Sequence, residues 1–182
     1  MNVVPTLERW AILRCPPGQG RHGAPLTGDK TWGKFRSLEK KDTILLVEDS
    51  DNDLVLMRYA FKKAGVSNPI VEMRDGEAAI EYLSGDGVYA DRERYPLPCL
   101  IITDLKMPRV DGFGVLEWLQ ARPEFDRVPK LVLTASGIAD DHQRAVHLGA
   151  CAYFVKPNGL EDLVALVKHM DEAWITAHCP LA

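Results

Sequence analysis

No apolar run in this 182-residue chain approaches the roughly 20 residues that a helix needs to span a bilayer. A secretory leader is not expected either, because Trp10-Ala11-Ile12-Leu13 is too short an apolar stretch and runs into Arg14 and two prolines. The four cysteines (Cys15, Cys99, Cys151 and Cys179) form no CxxC pair and no cluster with histidine at zinc spacing. Cys99 and Cys151 sit in apolar runs, where a free thiol behaves as a small buried hydrophobe, so a reducing cytoplasm is the expected setting. Basic charge is scarce beyond residue 41, where 14 Lys or Arg face 23 acids, a net of −9. Such a surface excludes nucleic acid as the expected partner and fits a divalent cation or basic partners.

The remaining basic charge lies in residues 1–41, with eight Lys or Arg against three acids, a net of +5. That stretch carries four prolines and five glycines without a sustained period, which predicts an unstructured basic leader. The pattern changes at residue 43. Ile44-Leu45-Leu46-Val47 reads as a strand buried on both faces, followed by a helix over 51–64 that carries Leu54, Met57 and Phe61 on one side and ends at Gly65. Further strands are predicted over 69–73, 99–103, 128–133 and 150–155, and further helices over 76–83, 113–121 and 139–148. A last helix has Leu160, Leu163, Val164, Val167, Met170 and Trp174 as its inner face. The polar stretch 84–98 is longer than an ordinary connection. Five strands alternating with five helices over 42–178 predict a doubly wound α/β fold with a parallel sheet, leaving 179–182 as a short tail. In such sheets ligands bind beyond the carboxyl ends of the strands.

Four of those strand ends carry polar residues: Glu48 and Asp49, Asp104, Thr134, and Lys156. Three carboxylates brought to one edge repel each other and need a compensating cation, and an oxygen-only acidic set suits Mg²⁺. With a mobile ammonium from Lys156 and a hydroxyl from Thr134, the edge becomes a clamp for a phosphoryl group. Asp104 can then serve as nucleophile and become an aspartyl phosphate. Each piece alone is commonplace, an acidic pair after a strand being more often a helix cap. The ordered set carries the argument. Other polar positions have plainer readings. His142, His147 and His169 fall at solvated helix spacings and are expected on the surface, Met107, Pro108 and Gly112 read as turn residues, and Trp118 is core or contact surface.

Residues 43–176 resemble the receiver domain of bacterial two-component response regulators. The resemblance rests on ILLVEDS at 44–50, IITDLKMPRVDG at 101–112, LVLTAS at 131–136 and GACAYFVKP at 149–157. It implies a flavodoxin-like sheet of order 2-1-3-4-5, with Asp104 as phosphoacceptor and Mg²⁺ held by Glu48, Asp49, Asp104 and the backbone carbonyl of Lys106. It further implies Thr134 as a switch hydroxyl, Lys156 as the phosphate-binding lysine and Tyr153 as an aromatic that turns inward when Thr134 moves. In this family the peptide bond matching Lys156-Pro157 is commonly cis. The long 84–98 segment and Trp-bearing last helix are similar to receivers that serve phytochrome-type histidine kinases.

A stand-alone, cytoplasmic signalling protein is the function this implies, catalysing only its own phosphorylation and dephosphorylation. A sensor histidine kinase or a histidine phosphotransfer protein is the expected partner, with neither nucleic acid nor membrane involved. A homodimer is expected through the fourth helix, fifth strand and fifth helix. Only seven residues follow Ile175, so no output domain is expected. The main alternative is a degenerate receiver that is never phosphorylated and acts as a constitutive binding module. An aspartate-nucleophile phosphatase would want an acid two residues after its nucleophile, where this chain has Lys106. A flavin-binding module would need a phosphate-cradling loop where Glu48 and Asp49 stand.

Overall fold

The computed structural model describes residues 42–175. The leader expected over 1–41 and the tail over 179–182, with Cys15 and Cys179, lie outside the described residues. The chain alternates β1 (Ile44–Val47), α1 (Asp51–Ala64), β2 (Ile70–Met73), α2 (Gly76–Ser84), β3 (Leu100–Thr103), α3 (Gly112–Gln120), β4 (Lys130–Thr134), α4 (Ala139–His147), β5 (Ala152–Val155) and α5 (Leu160–Met170). Short 3₁₀ turns at Gly87–Ala90 and Pro123–Phe125 interrupt the connections, and α5 runs on into a π turn at Asp171–Ile175. All strand pairs are parallel, in the order β2-β1-β3-β4-β5, as the alternation and the resemblance imply.

Side-chain alternation along the strands sorts the core. Ile44, Leu46, Leu100, Ile102, Leu131, Leu133 and Phe154 point to the face covered by α1 and α5, where they meet Leu54, Phe61, Leu166 and Met170. Leu45, Val47 and Ile101 point to the opposite face, against α2 and α3. On that side Val132 and Tyr153 meet Phe113 and Leu116 of α3 and Ala145 of α4. Ser50, Asp75 and Asp111 cap α1, α2 and α3 by accepting from the N–H groups of Asp53, Ala78 and Gly114. No helix among the described residues is long and apolar enough to cross a membrane.

Several expectations are corrected. Leu160, placed on the inner face of the last helix, is 40 % exposed, while Leu166 is buried. The other inner-face positions Leu163, Val167, Met170 and Trp174 are buried as expected, and the π turn at the helix end brings Ile175 into the core beside them. His142 and His169 are half-buried, and only His147 is exposed. His142 packs edge-on to Tyr153, and His169 lies between Phe154 and Trp174, because each flanks the apolar stripe of its helix closely enough to be covered. Cys99 and Cys151 are each disulfide-bonded rather than free thiols, which no local spacing announces. Trp118 joins the α2–α3 side of the core, with the Arg122 guanidinium 3.6 Å above its ring.

The 84–98 stretch is folded against the body. Arg92 donates to the carbonyls of Tyr82 (2.7 Å), Leu83 (2.7 Å) and Tyr95 (3.3 Å), satisfying the carbonyl end of α2. Tyr82, Tyr89 and Tyr95 pack edge to face beside it.

Candidate functional site

Parallel register brings the strand ends to one edge: Val47 of β1 pairs with Thr103 of β3, Thr103 with Val132, and Thr134 of β4 with Val155. The next residues along the adjacent strands β1 and β3 are therefore neighbours, and Lys156 follows β5 two strands from β3. Glu48 and Asp104 are almost fully enclosed, at 2 % and 6 % exposure, whereas Asp49 stands in the open. Carboxylate oxygens of Glu48, Asp49 and Asp104 all lie within 4.8 Å of one another. Lys156 reaches across the edge, and its Nζ donates to Glu48 Oε2 (2.6 Å), Asp53 Oδ2 (2.6 Å) and Asp104 Oδ2 (2.8 Å).

The second oxygen of each buried carboxylate is held by backbone. Asp104 Oδ1 accepts from the N–H groups of Leu105 (2.5 Å) and Lys106 (3.2 Å), and Glu48 Oε1 accepts from Ser50 N–H (3.2 Å). Gly112 matters here beyond its turn. A Cβ at that position would lie 2.0 Å from the backbone oxygen of Asp104, so the start of α3 approaches Asp104 as only glycine permits. Met107, also expected as a turn residue, is buried in the core.

Burial pushes the Glu48 carboxyl up from its ordinary range, opposed by the bond from Lys156. Burial alone would lower Lys156, but its bonds to Asp104, Asp53 and Glu48 outweigh this and hold it firmly protonated. Three carboxylates (Glu48, Asp53 and Asp104) share this ammonium and Asp49 stands beside them, a formal local charge of −3. Hard oxygen donors crowded together and short of positive charge fit a divalent cation such as Mg²⁺.

Thr134 is fully buried at the end of β4, where its Oγ1 accepts from Ser136 N–H at 3.3 Å. Tyr153 lies inward, its hydroxyl donating to the Ser136 carbonyl at 2.8 Å, and Ser136 Oγ donates to Asp141 at 2.5 Å. Thr134 and Tyr153 thus meet in one loop, through Ser136.

The family description "Response regulator receiver domain" matches residues 44–168. The chain belongs to that family. This receiver is 36 % identical over 132 residues to response regulator Rcp1 of Synechocystis sp. (strain ATCC 27184 / PCC 6803 / Kazusa), covering 72 % of this chain and 88 % of the relative. Among solved structures, the phosphorylated cyanobacterial phytochrome response regulator RcpA is 34 % identical, with a TM-score of 0.70 over 75 % of this chain and 96 % of RcpA. The Mn²⁺-bound form of Rcp1 is 33 % identical, with a TM-score of 0.67 over 78 % and 97 % of the two chains.

Every side chain anticipated for the receiver site (Glu48, Asp49, Asp104, Thr134, Lys156) is placed at the carboxyl edge of the sheet, and Lys106 and Tyr153 border it. The Lys156-Pro157 bond is not cis here: there is no cis peptide among the described residues. Trans is the ordinary state even before proline. Asp53 was missed. It lies in the first turn of α1, where an acidic residue is already accounted for by the helix dipole, and only its place three residues after the Ser50 cap hints that it faces the edge. Arg109 was missed too. It takes a positive φ of 63° in the loop after Asp104 and forms an ion pair with the buried Asp75 at the cap of α2.

Proposed function

We propose that this receiver accepts a phosphoryl group on Asp104 from the phosphohistidine of a sensor histidine kinase, and that phosphorylation shifts it between two shapes. The observation that supports this best is the convergence on Asp104: a buried carboxylate with one oxygen fixed by backbone N–H groups and the other on the Lys156 ammonium, beside two further acids. In the reaction an Asp104 oxygen attacks phosphorus, the P–N bond to imidazole breaks, and the imidazole nitrogen keeps the electron pair. Lys156 offsets the negative charge that arrives, and the N–H groups of Leu105 and Lys106 hold the nucleophile in place. Glu48, Asp49, Asp104 and the Lys106 carbonyl would hold Mg²⁺, which when bound supplies charge neutralisation at the transferring group.

Thr134 and Tyr153 are the switch in this reading. A hydroxyl drawn toward the phosphoryl oxygens disturbs the Ser136 loop that Tyr153 holds. The output is a protein contact or onward transfer to a histidine phosphotransfer protein. The likeness to RcpA supports a phytochrome-type kinase as the donor. We place this receiver in the cytoplasm, where a sensor histidine kinase would present its phosphohistidine. A homodimer over α4, β5 and α5 is supported by the exposed apolar side chains of Ile138, Val155 and Leu160 and by the edge position of β5.

Intact-mass spectrometry after incubation with acetyl phosphate tests the reading in three arms: Mg²⁺, chelator, and Asp104→Asn with Mg²⁺. One added phosphoryl mass in the first arm alone is the expected result. No adduct in any arm, with the protein folded, would establish the degenerate binding module instead.

A further inference from the structure

Asp53 belongs to neither half of the site described above. Its oxygens are not among those of the Glu48–Asp49–Asp104 cluster, and it stands on α1 rather than at a strand end. Yet its contact with Lys156, at 2.6 Å, equals that of Glu48 and is shorter than the 2.8 Å to Asp104. An ammonium has three donors and no acceptor, so these three carboxylates use every N–H that Lys156 has. Two of the three, Glu48 and Asp104, are the acids a cation would also draw on. Asp53 is the anchor that no cation contests.

We propose that Asp53 is a positioning residue for phosphoryl transfer, holding Lys156 from the α1 side so that one N–H always faces Asp104. This rests on Asp104 being the phosphoacceptor. When Asp104 is phosphorylated, the ammonium has only to exchange Asp104 Oδ2 for a phosphoryl oxygen while Asp53 and Glu48 keep their bonds. A lysine side chain starting at the end of β5 is long and flexible, and fixing its tip beforehand removes an ordering step from the reaction. Asp53 is well placed for this, since its own N–H donates to Ser50 Oγ at 3.3 Å and α1 packs directly on α5. A purely electrostatic role for Asp53 has the opposite consequence. Deleting one negative charge from a site at −3 would speed the capture of an anionic donor.

The sign of the effect therefore decides. Phosphorylation by acetyl phosphate is followed at saturating Mg²⁺ for wild type, Asp53→Ala and Asp53→Asn, each with Lys156 intact and with Lys156→Ala, and Mn²⁺ affinity is measured for the same proteins by equilibrium dialysis. Asp53→Ala is expected to slow phosphorylation roughly tenfold, the scale of one charge-assisted hydrogen bond. Asp53→Asn, which keeps an oxygen acceptor, recovers part of that loss. Mn²⁺ affinity stays at or above wild type, and in the Lys156→Ala background the Asp53 substitutions cause no further loss. Wild-type or faster rates in both Asp53 variants, a loss that tracks Mn²⁺ affinity, or the same loss without Lys156 would each overturn the inference while leaving Asp104 as acceptor. A wild-type chain that takes no phosphoryl group overturns the functional reading and this inference with it.

Discussion

Lys156 keeps Glu48 and Asp104 from facing each other as bare buried charges, and its removal should register in stability as well as in activity. We expect Lys156→Met to lower unfolding free energy by about 3 kcal/mol in chelator, with Mg²⁺ restoring much of it by supplying the missing positive charge. Urea unfolding with and without the ion checks this. A second lysine behaves in the opposite way. Lys130, at the start of β4, is buried with its Nζ on the Phe125 carbonyl at 2.6 Å, and burial pushes its pKa down. Its protonated form is thus disfavoured in the folded state relative to the unfolded one. Stability should therefore rise with pH between the lowered folded value and the ordinary lysine value, where the unfolded chain binds more protons. Lys130→Met should flatten that alkaline rise in denaturant unfolding followed at several pH values. The two lysines also mark what residue type reveals. Lys156 follows an apolar strand at the edge where function is expected, so its place was legible. Lys130 heads a strand, and nothing local says that its stem and tip are both enclosed. Asp53 was hidden for a related reason, its carboxylate having an adequate local explanation.

The elements were legible to within a residue or two because burial on both faces forces continuous apolar runs, and these stand out between polar helices. The strands β1 and β3 show this most directly, four buried residues each. Pairings that depend on distant chain were not legible: the ring of His169 beside Phe154 and the Arg92 clamp. Two substitutions separate elements that serve the site from elements that serve only the fold. Gly112→Ala puts a methyl group against the backbone of Asp104, so α3 must retreat. A loss of about 2 kcal/mol in unfolding and weaker Mn²⁺ binding are expected together, by urea titration and equilibrium dialysis. Arg92→Ala removes a cation from two carbonyls at the end of α2 and from that of Tyr95 and should cost about 2 kcal/mol, while acetyl phosphate labels the protein at the wild-type rate.

At the scale of the whole molecule, the acidic edge couples folding to cation binding, because the unfolded chain cannot gather Glu48, Asp49 and Asp104. Mg²⁺ at a hundred times its dissociation constant should add about 2.7 kcal/mol of stability. Asp49→Asn should blunt this gain in urea unfolding at constant ionic strength. The fold also separates its two ends. Each strand delivers its last residue to the acidic edge, while the connection from α2 to β3 carries the chain back to the far edge, where the backbone of Cys99 joins that of Thr43 ahead of the strands. Val88, at 72 % exposure, sits in that return. A dye attached there would ride on the molecule without touching its chemistry, making this bend the natural handle for watching the switch from outside.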